Sequence, residues 1–150
     1  MSTPPDEQLI AEAVGRGMYE RDHAAQSLGI VLDQIAPGRA RMSMTVRPDM
    51  VNGHAICHGG MIFTLADTTF AYACNSHNDV TVAQTAQITF IAAARSGDRL
   101  TAEGVEQSRT GRTGVYDVRV SDQTGRTVAL FRGNSYRLKG EVVPQQATQP

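Results

Sequence analysis

The sequence predicts an α+β fold in which an antiparallel sheet wraps around one buried helix. The first observation is residues 59–76, GGMIFTLADTTFAYACNS, which are apolar on nearly every side and carry a single charge, at Asp67. Such a pattern is typical of a buried helix rather than a surface helix. The second observation is that apolar and polar residues alternate on both sides of this segment, as they do in half-buried strands. With two strands before the helix and three or four after it, an antiparallel sheet around the helix is the most economical arrangement.

Length and composition limit the class of protein. The 150 residues correspond to one domain that is large enough to bury its own core. The net charge of -1, from 14 basic and 15 acidic residues, argues against nucleic acid as a partner. The threonines around Asp67 interrupt the apolar run, so no membrane span is expected. Two cysteines are too few for a disulfide framework, and the amino terminus lacks the basic and apolar regions of a targeting peptide, so we expect a cytoplasmic protein.

Three regions are expected along the chain. Residues 1–28 form an N-terminal helical segment, because apolar residues recur there at steps of three and four. Gly15 and Gly17 are poor helix formers, so a break in this helix is expected near them. Residues 29–140 form the main domain. Residues 141–150 are expected to be a disordered tail, because residues 145–150 are polar and end in proline.

The strands of the main domain follow from a period of two. Reversals between neighbouring strands are expected at Gly111 and at residues 122–125. A last strand spans residues 127–138 and is more continuously apolar than the others. The remaining strands are marked by apolar residues at alternate positions, which are Met42, Met44 and Val46, then Ala86, Ile88 and Phe90, then Tyr116, Val118 and Val120.

Asp67 is the first candidate for chemistry. A carboxylate within an apolar helix loses hydration unless it is paired or hydrogen-bonded. Burial raises the pKa of such a group, which suits a general base. The structural alternative is that Asp67 caps a helix that restarts at Thr68. The spacing alone does not decide between a functional carboxylate and a helix cap.

His58, Gly59 and Gly60 form the second candidate site, at the start of the predicted buried helix. The first amides of a helix have no partner within it, and glycines let a ligand approach them closely. These amides, at the positive end of the helix dipole, can hold a polarised carbonyl oxygen or an anion. The alternative is a glycine-rich turn that only permits tight packing.

The distance between the two candidates leads to a prediction about assembly. Gly59 and Asp67 are eight positions apart, or about 12 Å along a helix. An oxyanion donor and a base or nucleophile must both lie about 3 Å from the reacting group. If both act on one carbonyl, Asp67 must come from a second subunit whose helix runs antiparallel to the first. The hypothesis therefore places the active site at a two-fold interface.

Two other kinds of site are less well supported. A metal centre would draw on His54, Cys57, His58 and Asp67, but adjacent Cys57 and His58 are poorly placed to share one tetrahedral ion, so no metal is expected. A Cys57–His58 nucleophile and base pair is also weak, because side chains of sequence neighbours rarely aim at each other. Phe70 and Tyr72 are expected in the core or in the wall of an apolar pocket.

The sequence resembles the hotdog-fold acyl-CoA thioesterases, and within them the phenylacetic acid degradation subgroup. The HGG at residues 58–60 followed by Ala66 and Asp67 is specific for this group, and the similarity covers roughly residues 12–140. The segments that carry the resemblance are residues 52–60, 65–68, 70–76, 113–117 and 128–133.

The resemblance implies a hotdog fold, with a five- to six-stranded antiparallel sheet around a long central helix. It further implies that two such units pair edge to edge as a dimer, that dimers assemble into a homotetramer, and that active sites lie at the dimer interface. No metal or redox cofactor is implied, and the substrate is a coenzyme A thioester.

The resemblance also implies site residues. The family's catalytic carboxylate falls on Asp67, and its oxyanion-donating amide falls on Gly59 of the opposite subunit. His58 and Asn52 match positions that orient the thioester and the catalytic water, and Thr68 adjoins the carboxylate. Some relatives carry a serine on the strand after the helix to position water. The corresponding residue here is Ala83, which leaves that role to Thr68, Asn52 or Gln84.

Coenzyme A needs cationic partners for its phosphates. Arg109, Arg112 and Arg137 lie near positions that contact the nucleotide in relatives, although each would equally suit an exposed surface. The resemblance thus predicts hydrolysis of an aryl-acetyl or related acyl-CoA thioester to free acid and coenzyme A. Two alternatives remain open, a hydratase or dehydratase acting on an acyl thioester, and a non-catalytic acyl-CoA-binding protein.

Overall fold

The computed structural model describes residues 5–144. It contains three α-helices, a 3₁₀ turn and six strands within that range. The helices are α1 (Pro5–Arg21), α2 (His23–Ser27) and α3 (Gly59–Asn75), and the 3₁₀ turn is Pro48–Met50. The strands are β1 (Val31–Ala36), β2 (Arg39–Thr45), β3 (Asp79–Phe90), β4 (Arg99–Thr110), β5 (Thr113–Ser121) and β6 (Thr127–Glu141).

The strands form one antiparallel sheet in the order β1-β2-β4-β5-β6-β3. Helix α3 contacts every one of these strands, so the sheet wraps around it. Two strands precede α3 and four follow it. The predicted α+β architecture with one central helix is therefore confirmed.

Residues on the helix-facing side of the sheet make the core. The residues predicted to face the core from β2 and β5 are almost completely buried, but Ser43, predicted on the other face of β2, is buried as well. Of the set predicted in β3, Ala86 and Phe90 are exposed. In β6, Leu130 belongs to the apolar run but is about half exposed on the outer face of the sheet. Phe70 and Tyr72 are buried as expected, and the Tyr72 hydroxyl donates to Asp22 Oδ2 at 3.0 Å. The core members from the predicted alternating sets are Met42, Met44, Val46, Tyr116, Val118 and Val120.

Helix α1 is continuous from Pro5 to Arg21, so the expected break at its glycines is wrong. Tertiary packing explains why the glycines are there. A Cβ atom on Gly15 would lie 2.8 Å from a methyl group of Leu32, and one on Gly17 would lie 2.5 Å from a methyl group of Val143. The glycines lower helix propensity but permit close contact with β1 and with the segment that follows β6.

The segment after β6, as far as the structure describes it, packs against α1 and forms hydrogen bonds with Asn78. Glu141 is the last residue of β6, and Val143 is buried against α1. The Asn78 side chain donates to the Val143 carbonyl oxygen at 3.0 Å and accepts from the Val143 N–H at 2.9 Å. Residues 141–144 of the expected tail are thus held in place, and residues 145–150 lie outside the described range.

The two edges of the sheet differ in how they are covered. Near β1, the Gln8 side chain donates to the Ile35 carbonyl at 2.9 Å, and the Tyr19 hydroxyl donates to the Ile30 carbonyl at 2.8 Å. At the opposite edge, β3 pairs only with β6 among the described strands. Residues 82–87 of β3 are all exposed, and after Asp79 the strand carries no charged residue. A long uncharged edge of this kind is a ready partner for another strand.

Candidate active site

His58 begins helix α3 and fixes the geometry of its first turn. The backbone of His58 is extended, and its Nδ1 accepts a hydrogen bond from the Gly60 N–H at 2.8 Å. Because Nδ1 is the acceptor in this cap, the neutral imidazole must carry its proton on Nε2. The side chain is exposed, so its Nε2–H is available as a donor beside the helix start.

The Gly59 amide is the backbone donor that this turn leaves free. The Met61 N–H donates to the His58 carbonyl at 2.9 Å, and the Gly60 N–H is taken by the His58 ring. Among residues 5–144 the Gly59 N–H has no acceptor. An amide at a helix N-terminus, strengthened by the helix dipole, is suited to binding a carbonyl oxygen that gains negative charge.

An aromatic ring lies beside the Cα atom of Gly59. If Gly59 carried a Cβ atom, that atom would lie 2.9 Å from Cζ of Phe90 and 3.2 Å from its Cε1. Glycine therefore permits a close contact at residue 59, on the same residue whose amide has no acceptor among residues 5–144. Phe90 is the last residue of β3, and sequence reasoning assigned it only to a strand.

Asp67 lies in the middle of α3, which runs unbroken from Gly59 to Asn75. No helix restarts at Thr68, so the alternative that Asp67 is a helix cap is wrong. The carboxylate is half-buried, and among residues 5–144 no group donates a hydrogen bond to it. Burial raises its pKa above the ordinary value of 3.8. Fold stability does not explain a desolvated carboxylate without a hydrogen-bond partner, so Asp67 is a candidate functional group.

The sheet leaves one face of α3 uncovered. We call this the open face. Its members recur at steps of three and four, which places them along one side of the helix. They are small or polar, and each is partly or fully exposed. The open face consists of Gly60, Thr64, Asp67, Thr68 and Ala71.

The two threonines of the open face have their hydroxyl protons occupied. Thr64 Oγ1 donates to the Gly60 carbonyl at 2.8 Å, and Thr68 Oγ1 donates to the Thr64 carbonyl at 2.6 Å. Each hydroxyl oxygen therefore retains only acceptor capacity. Thr68, next to Asp67, can accept a hydrogen bond from a water molecule but cannot donate one to it in this conformation.

Asn52 shapes the loop that leads to His58. Its Oδ1 accepts from the His54 N–H at 2.8 Å and from the Ile56 N–H at 3.4 Å. The His58 N–H in turn donates to the Met50 carbonyl at 2.8 Å. Asn52 thus orders the loop before the helix start, and its side-chain nitrogen Nδ2 makes no hydrogen bond within residues 5–144. Ala83 and Gln84 lie on the exposed edge strand β3.

The structure does not bring Gly59 and Asp67 together within one chain. They are separated by two turns of the same helix, or about 12 Å. In the folded protein, one chain therefore cannot bring both groups to the same carbonyl group, which is the condition that led to the prediction of a site shared by two chains.

Arg109, Arg112 and Arg137 lie together around one cleft of about 230 Å³ at the far end of α3. Arg137 Nη1 is 3.8 Å from Asp79 Oδ2, and Arg109 Nε is 4.0 Å from Glu106 Oε1. Arg112 makes no ion pair with a carboxylate among residues 5–144; its Nη1 donates to the Arg137 carbonyl at 3.2 Å. The cleft also includes Cys74 of α3, which places it beyond Asp67 along the helix.

The geometry around Cys57 does not suit a nucleophile and base pair with His58. Cys57 is buried, and its thiol donates to the His58 carbonyl oxygen rather than to the imidazole. Burial raises the pKa of this thiol, which disfavours the nucleophilic thiolate. Within the described range, no three His, Cys, Asp or Glu side chains are grouped so as to hold a metal ion.

A central helix wrapped by an antiparallel sheet, with a free amide at its N-terminus and a carboxylate on its open face, defines a hotdog-fold protein. A family model described as Thioesterase superfamily matches residues 54–129, which include all of α3. The chain belongs to the thioesterase superfamily, and the resemblance seen in the sequence is confirmed.

Individual relatives agree with this assignment. The acyl-coenzyme A thioesterase PaaI of Escherichia coli strain K12 is 46% identical over 125 residues, which cover 83% of this chain and 89% of the relative. The structure of E. coli PaaI, from the phenylacetic acid degradation operon, superposes with a TM-score of 0.88 at 44% identity, over 89% of this chain and 97% of that one. A variant of the phenylacetic acid degradation protein PaaI from Thermus thermophilus matches at a TM-score of 0.74 and 35% identity, over 77% and 98% of the two chains.

Among the described residues, no helix is both long and apolar enough to cross a membrane.

Proposed function

We propose that the protein hydrolyses an aryl-acetyl or related acyl-CoA thioester to the free acid and coenzyme A. The observation that carries this proposal is the pair of groups on one helix of a thioesterase fold. They are a Gly59 amide without an acceptor and a half-buried Asp67 carboxylate without a donor among the described residues. Thioester hydrolysis needs an oxyanion donor and a base or nucleophile, and these two groups supply both.

In the proposed reaction the thioester carbonyl oxygen accepts from the Gly59 N–H. Asp67 of the partner chain removes a proton from water as the water oxygen bonds to the carbonyl carbon, or Asp67 attacks that carbon directly. The carbon–sulfur bond then breaks, and the departing thiolate of coenzyme A takes up a proton. In the direct-attack route this step leaves the acyl group on Asp67 as an anhydride, which water hydrolyses to the free acid and the Asp67 carboxylate. His58 and Asn52 orient the thioester and water, and Thr68 accepts a hydrogen bond from the water. Because these groups suffice, the proposal includes no metal or redox cofactor.

The proposed site requires a dimer, and two surfaces of the chain are suited to contact with a second copy. The edge strand β3 offers 12 residues for pairing with a second copy of itself. The open face of α3 consists of small or polar residues and carries no large apolar side chain, which allows close approach of a second helix. If the partner's Gly59 lies beside Asp67, the two-fold axis passes near Phe63, midway between these positions. We further propose that such dimers assemble into a homotetramer.

The arginine cleft fits the coenzyme A arm in this arrangement. It adjoins Cys74, which is seven positions, or about 10 Å, beyond Asp67 along α3. The cleft therefore lies on the chain that supplies Asp67, at the side from which the partner's Gly59 approaches. Phosphates of the nucleotide would bind Arg112 and Arg137 by charge-assisted hydrogen bonds, with Arg109 beside them.

The aryl-acetyl part of the proposal is supported by the relatives, two of which are connected by name with phenylacetic acid degradation. A cytoplasmic location is supported by Cys57 and Cys74, which are both unpaired and buried.

Release of free thiol from phenylacetyl-CoA, benzoyl-CoA and a medium-chain acyl-CoA tests the proposed function. We expect release, with preference for the aryl substrates. Loss of the absorbance of an enoyl-CoA without thiol release would instead indicate a hydratase. Binding of acyl-CoA without turnover would indicate a non-catalytic protein.

The pH dependence of kcat/KM is expected to show an acidic limb set by Asp67. Both proposed roles need the ionised carboxylate, and burial raises the pKa of this group. Activity should therefore fall as pH falls through a value above 3.8, the ordinary value for an aspartate. Initial rates of thiol release, measured from acidic to neutral pH, check this, with circular dichroism at each pH as the control for folding. A limb at or below 3.8 would contradict the expectation.

Replacing Arg112 with alanine is expected to raise KM for phenylacetyl-CoA by about three- to tenfold, because a charge-assisted phosphate contact is lost. The KM for the S-phenylacetyl thioester of pantetheine, which lacks the nucleotide, should not change. Arg119→Ala is the matched control, since Arg119 bonds Thr127 and the Gly125 carbonyl away from the cleft. Equal effects on both substrates would remove Arg112 from nucleotide binding.

A further inference from the structure

Phe90 differs from the other phenylalanines of the chain in its surroundings. The chain has four. Phe63, Phe70 and Phe131 form one interior cluster, with ring centroids 5.5 and 5.8 Å apart for the two pairs that include Phe131. Phe90 takes no part in this cluster, and 52% of its surface is exposed in the single chain. Core packing therefore does not explain its aromatic ring.

The position of the ring is set by the sheet. Phe90 pairs with Ala129 at the end of β3. Gln87 and Thr89 line a depression on the outer face of the sheet, so Ile88 and Phe90 face the helix side. Ile88 packs against the core there, while Phe90 reaches the N-terminal end of α3. The three atoms closest to a Cβ position on Gly59 all belong to the Phe90 ring.

We propose that Phe90 is a specificity-determining residue that selects aromatic acyl groups through contact with its ring. This inference rests on the proposed function. A carbonyl oxygen bound to the Gly59 N–H holds the acyl carbon within a few ångströms of Gly59. The first carbons of the acyl group then lie beside the ring. An aryl group gains an offset or edge-to-face contact with Phe90 that an aliphatic chain of similar size does not.

The ring also accounts for the glycine at position 59. A side chain there would collide with the ring or displace it from its place beside Gly59. The Gly59 N–H and the Phe90 ring therefore lie side by side. The amide binds the thioester carbonyl, and the ring contacts the aromatic part of the substrate.

Substitution of Phe90 by leucine tests the inference, because leucine keeps an apolar side chain and removes the ring. The measured quantity is kcat/KM for phenylacetyl-CoA relative to hexanoyl-CoA. We expect this ratio to fall by about three- to tenfold, the range of an aromatic pair, with hexanoyl-CoA turnover retained. Ile91→Ala is the matched control, since Ile91 is the next residue and is equally exposed at 53%. Its ratio should remain that of the wild type.

The outcomes separate this inference from the proposed function. A wild-type enzyme that releases thiol, with an unchanged ratio in Phe90→Leu, overturns the aromatic contact alone. Equal losses for both substrates assign the ring a structural role and overturn the inference as well. Absence of thiol release from any acyl-CoA by the wild type overturns the proposed function and this inference with it.

Discussion

Replacing Asp67 with asparagine is expected to lower kcat/KM for phenylacetyl-CoA by about a thousandfold. The amide keeps the shape of the side chain but can neither accept a proton from water nor attack the thioester. The fold should not suffer. Because the pKa of Asp67 is raised, its ionised form costs stability at pH values above the ordinary 3.8, and asparagine removes that cost. Thiol release and thermal unfolding of the same preparations check both parts. Turnover close to the wild-type rate would move the chemistry away from Asp67.

Mixing variants tests whether the site is shared between chains. Asp67→Asn supplies an intact Gly59, and Gly59→Val supplies an intact Asp67 while its side chain collides with Phe90. Each variant alone should be inactive. After unfolding and refolding together in equal amounts, about half of the dimers contain both variants and one intact site, so about a quarter of the wild-type activity should return. No recovery, with dimers formed, would place both groups in one chain and contradict the proposed assembly.

Replacing Gly133 with alanine is expected to destabilise the protein by about 1–3 kcal/mol through overpacking. A Cβ atom there would lie 2.8 Å from three ring atoms of Phe70. That ring is buried and packed against Tyr116 and Phe131, so it has little room to move. The expected fall in Tm is roughly 3–10 °C, measured at one protein concentration.

Gly53→Ala is the control for this prediction. Gly53 is exposed, its φ is not positive, and no atom lies within 4 Å of its Cβ position, so alanine should be tolerated. The double variant Gly133→Ala with Phe70→Leu should recover part of the lost stability if the ring is the obstacle. If Gly133→Ala unfolds at the temperature of Gly53→Ala, the close packing of α3 on β6 is refuted.

Much of the candidate site followed from residues 58–68 alone. An apolar helix with one carboxylate and two glycines at its start has few explanations, and its period and length are local properties. Neighbouring residues in the sequence could not decide whether Asp67 caps a helix or is a free carboxylate. It depended on whether α3 continues past Thr68, which its burial inside the sheet ensures.

The sequence by itself determined the fold class, the central helix and its glycine-rich start, because periodicity and glycine chemistry act within a few residues. Tertiary structure alone decided the rest. It kept α1 continuous through Gly15 and Gly17, since close packing needs residues without side chains there. It brought Arg109, Arg112 and Arg137 to one cleft and the Phe90 ring to Gly59. Arg137 follows Arg112 by 25 residues and is brought to it by the pairing of β5 with β6, whereas the Phe90 ring reaches Gly59 because β3 packs on α3.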